Sequence, residues 1–155
     1  MILKVRSTIT YQYGISVMRP KIILMQSSHN GHMLCREELE KMGLKMDIDF
    51  YIFDSEVCVH SQWEAGQRQL FMTGTFSGNE EGVAEMVQKA RECNPELVCM
   101  SFALNPIPGP FDYAIEKSRD SLVAAVQGFL DGTLNRTDVR WTPPAPKKEH
   151  WPWAL

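Results

Sequence analysis

Two runs in this chain, Lys21-Ile22-Ile23-Leu24-Met25-Gln26 and Leu97-Val98-Cys99-Met100-Ser101-Phe102, are apolar with almost no alternation. A strand with one wet face alternates apolar and polar side chains, because successive residues point to opposite sides. Near-continuous runs therefore call for cover on both faces, the situation of a parallel sheet between helical layers. The first run ends in Ser27, Ser28, His29, Asn30 and Gly31, which reads as a loop. From His32 to Gly43 the pattern becomes helical, with Cys35, Leu39 and Met42 on one face and Gly43 where a helix commonly stops. Asp49 to Ser55 then reads as a second strand. Such a β-α-β unit crosses over right-handedly, so the loops that follow its strands emerge on one edge of the sheet.

The stretch from Glu56 to Gly78 stays open: Leu70-Phe71-Met72 suits a strand and Gln62 to Gln69 a helical turn. A clearer helix follows, with Val83, Met86, Val87 and Ala90 on one face, a capping-box arrangement of Ser77 and Glu80, and Glu81 near the positive end of the helix dipole. Asn94-Pro95 ends it. Leu97 to Phe102 reads as a central strand, and Tyr113 to Glu116 as a short further one. Ser118 is placed to cap a last helix that turns Leu122, Ala125, Val126, Phe129 and Leu130 inward, with Gly132 beyond its end. The expected division is an N-terminal extension over 1–19, with Met18 an alternative start, an α/β domain over 20–135, and a Pro/Trp-rich tail over 136–155. That tail holds Trp141, Trp151 and Trp153, and it is expected to pack on its own domain or on a neighbouring subunit.

The 155 residues suffice for one core and not for two ordinary domains. A formal net charge of −3 speaks against a nucleic-acid partner, which would need a basic surface. No apolar stretch reaches the roughly 18 residues of a membrane span. Lys4, Arg6, Ser7 and Thr8 interrupt the first segment, so no secretory signal is read there, and a cytoplasmic location is expected. Four dispersed cysteines, Cys35, Cys58, Cys93 and Cys99, do not form a disulfide framework, so each is core filler, metal ligand or reactive thiol.

In an open parallel sheet, ligands bind beyond the carboxyl ends of the strands. That rule selects Ser27, Ser28, His29 and His32 after the first strand, Cys58 and His60 after the second, and Cys99, Ser101 and Asn105 at the central one. A thiol at such an edge is activated by helix amino termini or imidazolium; the competing reading of Cys99 is a small buried hydrophobe. Cys35 and Cys93 lie on or beside inward helix stripes and read as structural. His29, His32, Cys58 and His60 are the candidates for a metal, although their spacing matches no standard zinc signature. Gly74 to Asn79, ahead of a helix, either cradles an anion or simply connects.

The order KIILMQSS, a helix ending at Gly43, DFYIFDSEV, RQLFMTGTFSGN, EEGVAEMVQKARECN and PELVCMSFALNPIPG resembles the DsrE-like family of sulfur-relay proteins. The resemblance covers roughly Lys21 to Asp131. It implies a homo-oligomer, trimeric or hexameric, that carries persulfide sulfur on Cys99 without a cofactor. Ser101 or a backbone N–H would then stabilise the thiolate, His60 would carry the proton, and sulfur donor and acceptor proteins would be the partners. PELVCMSFALNPIPG also resembles the phosphoacceptor strand of receiver domains. There Ser101 takes the place of the phosphorylated aspartate, and Gln26 and Ser27 that of the paired acids, which implies a truncated, non-catalytic interaction module. The expected architecture is a three-layer α/β/α domain with a mainly parallel sheet of about five strands, DsrE-like or flavodoxin-like. The expected function is a sulfur-relay or thiol-dependent accessory protein. The alternatives are the interaction module and a small-ligand or metal-binding protein that uses loop His and Cys.

Overall fold

The computed structural model describes residues 19–55, 59–74 and 80–142. Its elements are β1 (Lys21–Met25), α1 (His29–Lys41), β2 (Phe50–Phe53), a short 3-10 helix (His60–Gln62), β3 (Gln69–Thr73), α2 (Glu80–Cys93), β4 (Val98–Ala103), β5 (Tyr113–Glu116) and α3 (Arg119–Asp131). The five strands form one sheet in the order β2-β1-β3-β4-β5. Every pairing in it is parallel. With α1 and α3 against one face and α2 against the other, this is a three-layer, flavodoxin-like arrangement.

The two cores explain why the strand sequences do not alternate. Ile22, Leu24, Leu70, Met72, Val98, Met100 and Phe102 enter the core with Leu39 of α1 and Leu122, Val126 and Phe129 of α3. Their neighbours Ile23, Met25, Phe71, Cys99 and Ala103 enter the other with Val83, Met86, Val87 and Ala90 of α2. Each parity of a strand thus has its own apolar layer, and all five residues of β3 and all six of β4 are buried. In the β2–β3 and β4–β5 connections, where no α-helix stands among the described residues, other segments do the covering: Val59 and Trp63 lie in the α2-side core in the first, Ile107 and Phe111 in the second.

Helix α1 starts three residues before the expected His32. The Ser28 hydroxyl accepts from the Gly31 N–H at 3.0 Å, which draws the polar residues His29, Asn30 and Gly31 into its first turn. The expected second strand shortens to Phe50–Phe53, because the Asp49 carboxylate accepts from the Lys45 N–H at 2.8 Å and pairs with Arg19, closing a turn before it. In the open stretch, Leu70 to Met72 is a strand, whereas the helical turn expected over Gln62 to Gln69 keeps only Gln62, the last residue of the 3-10 helix, and Gln69 already belongs to β3. Ser77, half of the expected capping box, lies outside the described residues, as do Thr75 to Asn79 of the expected anion cradle. Ser118 and Gly132 close α3 as expected, Ser118 accepting from the Ser121 N–H and Gly132 adopting φ +80°.

One expectation attached to the receiver resemblance is overturned. It made the strand of Ser101 the phosphoacceptor strand of a truncated module. That strand is β4, β5 and α3 follow it, and the described residues form a five-stranded sheet. No described helix is long and apolar enough to cross a membrane.

Candidate ligand site at the carboxyl edge

β1 lies between β2 and β3, so the chain builds outward from it in opposite directions and the loops after β1 and β3 part. A crevice at that point is the usual ligand site of such sheets. Here a cleft of about 330 Å³ opens there, between Gln26 and Ser27 after β1, Gly74 after β3, the Phe102 to Pro106 turn at the end of β4, and Lys117 after β5. Glu80, the first residue of α2, also borders it. The walls are therefore mixed. Phe102 and Leu104 are apolar, and Leu104 is 78% exposed, a large hydrophobe held at the rim.

Gln26 closes the floor. It is 1% exposed, and its side-chain Nε2 has no hydrogen-bond acceptor among the described residues. Two glycines make room for its amide. A Cβ on Gly74 would stand 3.3 Å from Nε2. A Cβ on Gly31 would stand 2.7 Å from Gln26 Oε1, 2.9 Å from Lys117 Nζ and 2.9 Å from Ser28 Oγ. Those three polar atoms thus converge on one spot against the first turn of α1. Lys117 has no ion-pair partner among the described residues.

The opposite edge of the sheet is polar too, but paired. Asn94 Nδ2 donates to the Gln67 carbonyl at 2.8 Å and to Gln69 Oε1 at 2.9 Å, while Gln69 Nε2 donates to the Gln62 carbonyl and to Gln67 Oε1. Asp112, whose side chain is fully buried, accepts four bonds. Oδ2 takes Arg91 Nη1 and the Cys99 N–H, both at 2.7 Å, and Oδ1 takes the N–H and hydroxyl of Thr137. Arg136 reaches the carbonyls of Arg91 and Asn94. This edge is structural, and it fastens the start of the C-terminal segment.

The sequence-selected residues do not assemble into a thiol site. Cys99 is the second of six residues in β4, near this amino edge and away from the cleft, and it is wholly buried. Burial, reinforced by the Asp112 carboxylate, pushes its thiol up to about 12 against the pull of Arg91 and Arg136. The placement of Cys99 at the carboxyl rim is thus corrected: Asp112 bonds both its N–H and its carbonyl, anchoring it to the turn before β5. Ser101 lies two residues further along, buried, with its hydroxyl unpartnered among the described residues. His60 is exposed in the 3-10 helix, and it is not among the groups that act on the Cys99 charge. Asn105, by contrast, does border the cleft.

His29 and His32 stand in the first turn of α1, while Cys35 points into the core, where burial raises its thiol to about 12. Cys58 lies outside the described residues. No group of three or more His, Cys, Asp or Glu positioned to hold a metal exists among the described residues. Cys93 is exposed at the end of α2. Of the residues that line the cleft, Gln26 figures in the sequence only through the receiver resemblance, in the place of a paired acid, and Lys117 not at all. The carboxyl-end rule, applied to the short strand ending at Glu116, selects Lys117.

No protein-family model and no curated protein matches the chain. Among solved structures, it is similar in fold to a de novo designed Rossmann 2x3 fold protein, with 9% identity, a TM-score of 0.51 and coverage of 76% of this chain and 94% of that one. It is also similar to the signal receiver domain of the NarL response regulator from Mycobacterium tuberculosis, at 12% identity and TM-score 0.49 over 72% of this chain and 96% of that domain. An atypical orphan response regulator, described as regulated independently of phosphorylation, aligns at 16% identity and TM-score 0.47 over 72% and 95%. These likenesses concern the fold.

Proposed function

We propose that the chain is a non-catalytic binding module whose ligand occupies the cleft at the carboxyl edge. The observation that carries this reading is the contrast between the two edges of the sheet. Buried polar groups are satisfied in nearly all native structures, and an exception calls for a reason. At the amino edge, Asn94, Gln69 and Asp112 are all bonded. At the carboxyl edge, Gln26 Nε2 is buried beside an open cleft with no acceptor among the described residues. An unmade bond of that kind costs about 1–3 kcal/mol, and a ligand that supplies the acceptor recovers it.

A sulfur carrier fits this geometry less well. Sulfur transfer needs a reachable thiolate, whereas Cys99 is buried with a thiol held neutral. The trimer or hexamer implied by the sulfur-relay resemblance belongs to that reading, and light scattering on the purified protein measures it. Two measurements separate the proposals. Titration of the isotopically labelled chain with a set of small fragments, followed by NMR, is expected to shift resonances around Gln26, Gly74, Asn105 and Lys117. Shifts restricted to the amino edge count against the cleft. Incubation with a persulfide donor and mass spectrometry is expected to leave Cys99 unmodified in the folded protein; a sulfur adduct there restores the carrier.

A further inference from the structure

We infer that the ligand of the cleft presents a small oxyanion, a phosphate or carboxylate group, to the Gln26 side-chain amide and the Lys117 ammonium at the amino terminus of α1. This rests on the reading of the cleft as a binding site and adds the class of molecule it takes.

Three independent features agree on the sign of the charge. Gln26 Nε2 is a donor that wants an acceptor, in a side chain 1% exposed. Lys117 is a cation with no carboxylate against it among the described residues, and its Nζ lies within 2.9 Å of the same point on Gly31 that Gln26 Oε1 approaches to 2.7 Å; half a turn of the Gln26 amide about its last bond exchanges Oε1 for Nε2 there, so that both groups donate to one anion. The thirteen-residue helix α1 begins at that point and has no acidic residue in its first turn, so the positive end of its dipole is not offset locally. A neutral ligand would leave the ammonium uncompensated, and a cation would be repelled. An oxyanion accepts from both groups, and a hydrogen bond to a charged partner is roughly twice as strong as a neutral one.

Glu80 supplies the opposing charge. It borders the cleft from the start of α2, and it is exposed, so water and salt screen it. Its position disfavours a highly charged anion over a singly charged one. Ser27 and Asn105, on the remaining walls, offer further donors for the rest of such a molecule.

The test is an NMR titration of the full chain at constant ionic strength with three probes: inorganic phosphate, acetate and the neutral acetamide. Phosphate, acetate or both are expected to move the Gln26 side-chain amide saturably, and the comparison of the two tells which oxyanion is preferred. Acetamide is expected to bind at least about tenfold more weakly, the scale of one charge-assisted bond. Lys117→Met should weaken the better anion by about tenfold or more, Lys117→Arg should largely retain it, and Glu80→Gln should tighten it. Gln26→Met separates binding from folding: it should lose the anion while melting at a higher temperature than the parent. Acetamide binding as tightly as both anions overturns the anion assignment and leaves the cleft as a site. An unperturbed Gln26 with all three probes, together with fragments that shift only the amino edge, overturns both.

Discussion

Arg91 and Asp112, from the end of α2 and the turn before β5, form an ion pair at 2.7 Å with side chains 5% and 0% exposed. Because Asp112 also accepts from the Cys99 N–H and from Thr137, the pair ties together α2, β4, β5 and the segment that follows α3. Removing one partner of a buried pair costs about 3–5 kcal/mol, since the other charge is left buried alone. Asp112→Asn should lose stability on that scale in urea unfolding, and amide exchange near Thr137 should speed up. A loss below about 1 kcal/mol would mean that the pair is replaced by water.

The buried thiols predict the alkaline behaviour. Cys35 and Cys99 are held at about 12 in the fold, against an ordinary 9.0. Below pH 9 both folded and unfolded chains keep these protons, and the thiols add no pH dependence. As the pH rises from 9 towards 12, the unfolded chain releases protons that the folded chain retains, so stability falls by about 1.4 kcal/mol per pH unit for each thiol. Cys99→Ala should flatten the slope of unfolding free energy against pH by about one thiol relative to the parent. Iodoacetamide should label the exposed Cys93 in the native protein and reach Cys35 and Cys99 only on unfolding.

Ser101 separates a catalytic from a passive hydroxyl. Its Oγ is buried and has no partner among the described residues, so Ser101→Ala removes a desolvated group without breaking a bond. Equilibrium unfolding should find the variant within about 0.5 kcal/mol of the parent or more stable, with cleft binding unchanged. A marked loss of stability would reveal a bond to Ser101 in solution.

Gly132 ends α3 at φ +80°, with open space where a Cβ would go. Backbone strain alone therefore sets the cost of a side chain. Gly132→Ala should lose about 1 kcal/mol by thermal unfolding, and Gly132→Asn less, because asparagine tolerates the left-handed region better.

Much of the architecture could be read from the chain because the signals were local. The unbroken run Lys21 to Met25 announced a strand covered on both faces, and Ser118 with Gly132 bracketed α3. The start of α1 was misplaced because His29-Asn30-Gly31 has the composition of a loop, and one hydroxyl from Ser28 outweighs it. The depth of Cys99 was not legible for a different reason. Its burial depends on which end of β4 it occupies and on Asp112, thirteen residues later, closing over it. Gln26 and Lys117 approach one helix start although β3 and β4 separate β1 from β5 in the sheet. No periodicity in the sequence encodes that meeting.

The outermost strands β2 and β5 are each four residues long, and β5 carries Glu116 outward. So short a ladder offers few free N–H and C=O groups to a second sheet, and a charge at the border raises the cost of adding one. Copies of this protein that associate are therefore expected to meet through side chains on their helices and loops. Fibril growth by strand addition is the route the molecule discourages.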